Sequence, residues 1–456
     1  MTTATPIDIS TAELEQAIAR HGGTLTTPDE AVAIVRSGDR VMIPIGSQPL
    51  ALADALAAHL ATIDGRGAEM ADCAVAGNYL WLKPGFPGVS SVVHEHWGGP
   101  AVRHEQRRGE HDYLPIPFSL RFKALDERSR TAAEIRRADV VLVQVTLPDE
   151  HGYVSFGPNA WNQQAFCREA KYAIGEMSGH IPHVFGQGHT MHVSDFHVLV
   201  LNDSPRRMTT VPEANAQQRR IAGFLSEIVE DGDTIQVGAG TVPAAAVYAG
   251  AFDGKVDLGW HSEATIGGII DLIRDGVFTG ARKTIDQGLA VATGYAGNQE
   301  QMDFVRLHPL IHTRPTDYVH NIRTIAGQDN MVAVNAAMFV DLTGQICADS
   351  IGHEMIGGTG GQLEFALGAV NARNGRSVTL LEATAVAGSA SRIVASLPIG
   401  TIVSVPRLYA DIVITEFGIA RLWGKTVRER TRELIAIAHP DFRSELAQDA
   451  ARLFGA

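Results

Sequence analysis

TIQVGAGTVPAAAVYAGAFDGKVDLGWHSE, residues 234–263, decides the fold of this chain. Its β-prone opening, Thr234-Ile235-Gln236-Val237, runs into Gly238-Ala239-Gly240, and Pro243 then opens an Ala-rich, helix-prone segment. A proline there forfeits no hydrogen bond, because the first N–H groups of a helix have no partner inside it. Strand, glycine turn and helix start in this order leave backbone N–H groups facing outward, ready for an anion. A second short strand, predicted over Val256 to Trp260, empties into His261-Ser262-Glu263. In an open α/β sheet both turns lie at the carboxyl ends of strands, where ligands bind. The stretch therefore pairs an oxyanion pocket with a carboxylate. Taken alone, neither half is distinctive. Gly-x-Gly is common after strands, Pro243 stands where a dinucleotide fingerprint has its third Gly, and a Glu after a strand is most often a solvated loop residue.

The same arrangement occurs earlier. Arg40-Val41-Met42-Ile43-Pro44-Ile45 reads as a strand, Gly46-Ser47-Gln48-Pro49 as its turn, and Leu50 to Ile63 as an apolar helix. Gly38-Asp39 aligns with Gly232-Asp233 at an offset of 194, and without a gap Val41 falls on Ile235, Ile43 on Val237, Gly46 on Gly240 and Pro49 on Pro243. So many matches in one strand-turn-helix order indicate a duplicated α/β unit. The expected architecture is two tandem, similar open α/β domains with mainly parallel sheets covered by helices, residues 1–205 and 206–456. The polar run Asn202-Asp203-Ser204-Pro205-Arg206-Arg207 is the natural linker. Residues 10–36 read as helical, with a second helix start at Thr27-Pro28-Asp29-Glu30. Ala138 to Val145, Met331 to Val334, Ser377 to Leu381, Thr401 to Val405 and Asp411 to Ile414 read as buried strands, and the tail from Thr426 to Phe454 as helix interrupted at His439-Pro440.

Composition narrows the function. The chain has 456 residues, 45% apolar and 20% charged, which is ordinary for a globular enzyme of two or three domains. A net charge of −13 argues against nucleic-acid and anionic-membrane partners. Cys73, Cys167 and Cys347, with no CxxC, argue against a disulfide framework or zinc ribbon and for a reducing compartment. The N-terminus has no basic and apolar signal pattern, and no run of about 18 apolar residues occurs. The expectation is a cytoplasmic protein without a membrane partner.

Other stretches offer weaker chemistry. Gly357-Gly358-Thr359-Gly360-Gly361-Gln362 lets a ligand approach the backbone closely, but lacks the Gly-Lys-Ser/Thr ending of a nucleotide P-loop. By itself it is equally a flexible loop. Histidines cluster at His94, His96, His104 and His111 and again at His183, His189, His192 and His197, without an HExxH or other compact ligand set, so no metal is expected. Ser262 is not in a Gly-x-Ser-x-Gly elbow, which disfavours a serine hydrolase. Asp149-Glu150-His151-Gly152 is a plausible turn at the same strand ends or a solvated loop.

Several of these stretches together resemble the acetyl-CoA hydrolase/transferase family, class I CoA-transferases that include 4-hydroxybutyrate and butyrate CoA-transferases. They are PDEHGYVSFG (148–157), VGAGTVP (237–243), HSE (261–263) with DLIRDGVFTG (271–280), VDLTGQ (340–345), GGTGGQLEFALGA (357–369), DIVITEFGIARLWGK (411–425) and IAHPDFR (437–443). The resemblance spans the chain and is weakest over 65–135. It implies that Glu263 is the nucleophile, that Gly238 and Gly240 help form the oxyanion hole, and that Gly358, Gly360, Gly361 and Gln362 belong to a CoA-binding loop. It further implies CoA transfer from an acyl-CoA such as acetyl-CoA to a small carboxylic acid by ping-pong chemistry through a glutamyl-CoA thioester. Coenzyme A enters as substrate, with no metal or redox cofactor, in a homo-oligomer. Thioester hydrolysis on the same scaffold and non-catalytic CoA binding are the alternatives. The chain departs from the family where Ala264-Thr265-Ile266-Gly267-Gly268 replaces Met-x-x-Asp-Gly and where Asn335-Ala336-Ala337 replaces Asn-Ser-Ala. Losing the Asp at Gly267 bears on the acceptor acid, to whose pocket Trp81, Trp97 and their neighbouring histidines are candidates. Lys283, Arg373 and Arg376 are candidates for the CoA phosphates.

Overall fold

Arg40–Ile43 and Thr234–Val237 are both four-residue buried strands, and their first residues stand 194 positions apart, as the repeat requires. The computed structural model describes residues 10–72, 79–83, 85–95, 111–123, 136–202, 204 and 213–455; Cys73, His96, Trp97 and His104 lie outside these. The chain divides into two compact units, residues 1–208 with 293–295 and 299–317, and residues 209–292, 296–298 and 318–456.

In the first unit, Ser10 and Glu13 form a capping box on α1 (Thr11–Arg20), and Thr27, Pro28 and Glu30 start α2 (Pro28–Val32) likewise. There follow β1 (Arg40–Ile43), α3 (Leu50–Leu60), β2 (Ala68–Asp72), β3 (Val89–Glu95), β4 (His111–Leu114), β5 (Val140–Thr146), β6 (Tyr172–Ser178) and β7 (Val198–Leu201). These strands make a wholly parallel sheet in the order β7-β6-β5-β1-β2-β3-β4. Because both faces are covered, β5 is an almost unbroken apolar run. Val140 and Leu142 pack with Leu52 and Leu56 on one side, while Val141 and Val143 pack with Leu14 and Phe166 on the other.

The second unit contains α4 (Ala216–Ile228), β8 (Thr234–Val237), α5 (Thr241–Tyr248), β9 (Gly259–Thr265), β10 (Met331–Ala336), α6 (Gln362–Asn371), β11 (Arg376–Leu380), β12 (Ile412–Thr415), β13 (Gly418–Arg421), α7 (Val427–Ile437) and α8 (Pro440–Phe454). These strands run β13-β12-β11-β10-β8-β9, parallel except for β13, which folds back on β12. The order β7-β6-β5-β1-β2 in one unit corresponds to β12-β11-β10-β8-β9 in the other. The chain thus has the mainly parallel α/β fold expected from its sequence.

Two strand expectations need correction. The strand expected over Val256 to Trp260 is β9, which begins at Gly259. Asp257 takes a left-handed φ of 56° and breaks any extension toward Val256. Thr401 to Val405 is not a strand, although Val405 makes one isolated bridge to Ile346. Side chains take the place of a ladder there: Gly352 N–H donates to Thr401 Oγ1 and Ala348 N–H to Ser404 Oγ.

Candidate active site

At the end of β8, the Gly238 N–H extends the ladder by donating to Val334 O at 2.8 Å. A Cβ at Gly238 would stand 2.6 Å from Asn335 Oδ1, and one at Gly240 would stand 2.8 Å from Ala336 Cβ. Close approach to β10 therefore explains both glycines. Asn335 is itself fixed by two side-chain hydrogen bonds with Gln236, at 3.0 and 3.1 Å. Gly240 is the N-cap of α5. The Gly238 amide is already used, so the donors that can face a ligand at this turn are the next amides, those of Ala239 and Gly240.

Glu263 lies on β9, two residues before its end, beside the carboxyl end of β8. Ser262 is fully buried and donates to Val237 O at 3.4 Å and Ala264 O at 3.3 Å, a structural role. His261 and Glu263 share the opposite face, since side chains alternate along a strand. His261 is fully buried; burial, reinforced by the Lys283 charge, pushes its pKa down to about 3, so its imidazole stays neutral.

The Glu263 carboxylate is 15% exposed, and two groups meet its Oε2. Oε2 accepts the Gly361 N–H at 2.7 Å, and His320 Nε2 stands 3.0 Å from the same atom. Gly361 is the N-cap of α6, whose dipole favours negative charge there. His320 has no exposed side-chain surface and meets the Phe365 ring edge-on at 5.3 Å. Gln362 Nε2 donates to Ala336 O at 3.0 Å, which ties the start of α6 to the end of β10. Glu263, Gly240, Gly361 and Gln362 are thereby gathered where β9, β8 and β10 end.

Residues 19–235 match the acetyl-CoA hydrolase/transferase N-terminal domain, and residues 297–450 match the C-terminal domain of the same name. The 4-hydroxybutyrate coenzyme A transferase of Clostridium kluyveri is 33% identical, over 94% of this chain and 98% of its own length. The chain belongs to the acetyl-CoA hydrolase/transferase family. The succinyl-CoA:cyclohexane-1-carboxylate CoA transferase of Geobacter metallireducens is also 33% identical, over 94% of this chain and 95% of its own. Among solved structures, RipA from Yersinia pestis superposes with a TM-score of 0.85 at 31% identity, covering 96% of this chain and 99% of that one.

Within this family fold, the residues singled out in the sequence separate clearly. Gly361 and Gln362 touch Glu263 and its surroundings, whereas Gly358 and Gly360 lie in the half-buried loop before α6, where Gly360 has a φ of 54° that favours glycine. Lys283, Arg373 and Arg376 do not approach Glu263. Lys283 is buried against Gly259, the first residue of β9, and donates to Trp260 O and Leu289 O. Arg373 pairs with Asp329 and Arg376 with Asp233, each just ahead of a strand. All three cations stand at the amino ends, away from Glu263. Trp81 is core, stacked on Tyr79 at 4.6 Å. Glu95 is committed to Arg40 and Arg121 rather than to a metal. Asp149 accepts the N–H groups of His151 and Tyr153, a local turn. Among the described residues no group of three His, Cys, Asp or Glu is placed to hold a metal ion, and no helix is long and apolar enough to cross a membrane. Sequence reasoning missed His320. It is a lone histidine 57 residues from Glu263, between two short helical turns, and carries no motif.

Proposed function

We propose that this protein moves CoA from an acyl-CoA to a small carboxylic acid through a thioester on Glu263. It is an enzyme of CoA transfer, the activity in the names of both relatives, which differ in the acid they use. The observation that supports the covalent route is the Glu263 Oε2 held between the Gly361 amide and His320.

The Glu263 carboxylate attacks the thioester carbonyl, and the Ala239 and Gly240 amides receive the oxyanion. The C–S bond breaks, CoA thiolate leaves, and an acyl-glutamyl anhydride remains. The thiolate then attacks the glutamyl carbonyl, the acyl carboxylate leaves, and a glutamyl-CoA thioester is formed. In this attack negative charge develops on a Glu263 oxygen, for which Gly361 and His320 are donors already in place at Oε2. An incoming carboxylate reverses the steps and departs as its CoA ester. The bonds made and broken require no metal and no redox group. Binding energy from the non-reacting part of CoA is available to the reacting carbonyl.

The test is intact-mass analysis of protein incubated with acetyl-CoA and no acceptor acid, followed by peptide mapping. The expected product is Glu263 carrying the mass of CoA less water, absent in Glu263→Ala. Steady release of free thiol without an adduct indicates a thioester hydrolase instead. CoA binding without adduct or turnover, across acyl chain lengths, indicates a binding protein.

A further inference from the structure

Gln236 on β8 and Asn335 on β10 are a polar exception where these two strands meet. Ile235, Val237, Val332 and Val334 around them are apolar and buried, and the two amides are buried as well. Each donates to the other, Gln236 Nε2 to Asn335 Oδ1 at 3.0 Å and Asn335 Nδ2 to Gln236 Oε1 at 3.1 Å. Two opposed, directional bonds fix how far β8 can slide against β10, which an apolar pair would not do. Asn335 follows Val334, the acceptor of the Gly238 N–H, and its Oδ1 fills the space beside Gly238 where a side chain would stand. Counting on from the Ile235–Trp260 pair brings Gly238 level with Glu263, on the strand at its other side.

The repeat supplies an internal comparison. The offset of 194 sets Gln236 on Met42, and the ladder pairs Val41–Val140 and Ile235–Val332 set Asn335 on Val143. Met42 and Val143 are buried together in one apolar cluster of the first unit. This strand pairing therefore forms a core without amides, and a buried polar pair that the core does not need calls for another reason. The amides stand in the copy that carries Glu263.

Resting on the CoA-transfer reading, we propose that Gln236 and Asn335 are positioning residues for the reaction. Acting through the backbone of Gly238, they brace the glycine turn so that the Ala239 and Gly240 amides are held at a fixed height beside the Glu263 carboxylate.

The experiment measures kcat, KM for acetyl-CoA, Glu263 adduct formation and Tm. It compares wild type, the double variant Gln236→Met with Asn335→Val, and Gln236→Glu. The double variant installs the apolar pair that already packs in the first unit, and Tm verifies that it folds. Its kcat should fall about ten- to a hundredfold, the scale of a donor displaced by up to about 1 Å, with KM unchanged. Wild-type kcat in the folded double variant overturns the assignment, as does a loss confined to KM. Gln236→Glu serves if the double variant does not fold. While protonated, the introduced carboxyl group keeps both bonds, donating to Asn335 Oδ1 and accepting from Nδ2. Ionised, it loses its donor, and burial raises its pKa from about 4.3 into the assay range. The ratio of its kcat to the wild-type value should fall as pH rises, since the facing His261 stays neutral and Glu263 is common to both enzymes. A ratio independent of pH overturns the assignment. A Glu263 adduct in wild type with an unslowed double variant sinks the pair's role and leaves the transfer reading. Thiol release without an adduct, slowed in the double variant, sinks the transfer reading and leaves the pair.

Discussion

Gly361→Ala tests the geometry of the proposed nucleophile, Glu263, directly. The backbone of Gly361, at φ −83° and ψ 6°, is open to alanine, so any effect comes from the added methyl group. That Cβ would stand 2.7 Å from Glu263 Oε2, 2.7 Å from His320 Nε2 and 2.4 Å from His320 Cδ2. Non-bonded heavy atoms prefer separations of about 3.5 Å, so the carboxylate must retreat by about 0.8 Å and the imidazole by about 1 Å. Misplacement on this scale costs about a hundredfold in rate, or about 2.7 kcal/mol of barrier. Overpacking lowers stability by about 1–3 kcal/mol as well. The assay is quenched-flow mass spectrometry of adduct formation, alongside kcat and Tm. Gly223→Ala is the control: it is exposed on α4 with nothing within 4 Å of its Cβ. It should gain up to about 1 kcal/mol in stability and keep the wild-type rate. Gly361→Ala forming adduct at wild-type speed would refute the placement of the carboxylate between Gly361 and His320.

Three further outcomes are expected. His320→Ala removes the donor at 3.0 Å from Oε2 and should lower kcat about ten- to a hundredfold; a change confined to KM would argue against a role at the reacting atoms. His261 has a folded pKa of about 3 against 6.5 when exposed, so the unfolded chain binds the extra proton between those values and stability falls as pH drops through 6.5. From pH 7 to 5 the wild type should lose about 2 kcal/mol more than His261→Gln in urea unfolding, and parallel losses would contradict a neutral buried imidazole. Arg376→Ala leaves Asp233 buried without its partner and should cost about 3 kcal/mol or more. KM for acyl-CoA should stay unchanged, and a raised KM would return Arg376 to the ligand site.

The parts of this protein written locally in its sequence were readable there. The glycine turn, the proline at the start of α5 and the carboxylate after β9 begins are set by neighbours within a few residues, and the 194-residue repeat exposed the common strand order. What tertiary packing decides was not readable. Nothing adjacent to His320 marks it, because its partner lies on β9, 57 residues away, and it packs against Phe365 of α6. The strand end on which Lys283, Arg373 and Arg376 fall depends on connections that composition does not reveal. Gly238 looked like an anion donor, but its N–H continues a ladder to Val334 that forms only when β10 is beside it. Thr401 to Val405 has strand-like residues, yet its hydroxyls draw the backbone bonds that a neighbouring strand would have taken.

Glu263 belongs to a hydrogen-bonded strand rather than to a connecting loop, and the donors at its oxygen come from the start of a helix and a buried ring. The proposed reacting group is consequently located by the sheet rather than by its connections. Connections beyond the strand ends are free to lengthen, shorten and change residue type over generations without shifting it. A lineage built this way can exchange one acid for another while its chemistry stays fixed, and the two relatives of equal identity that differ in their acids have the pattern such drift would leave.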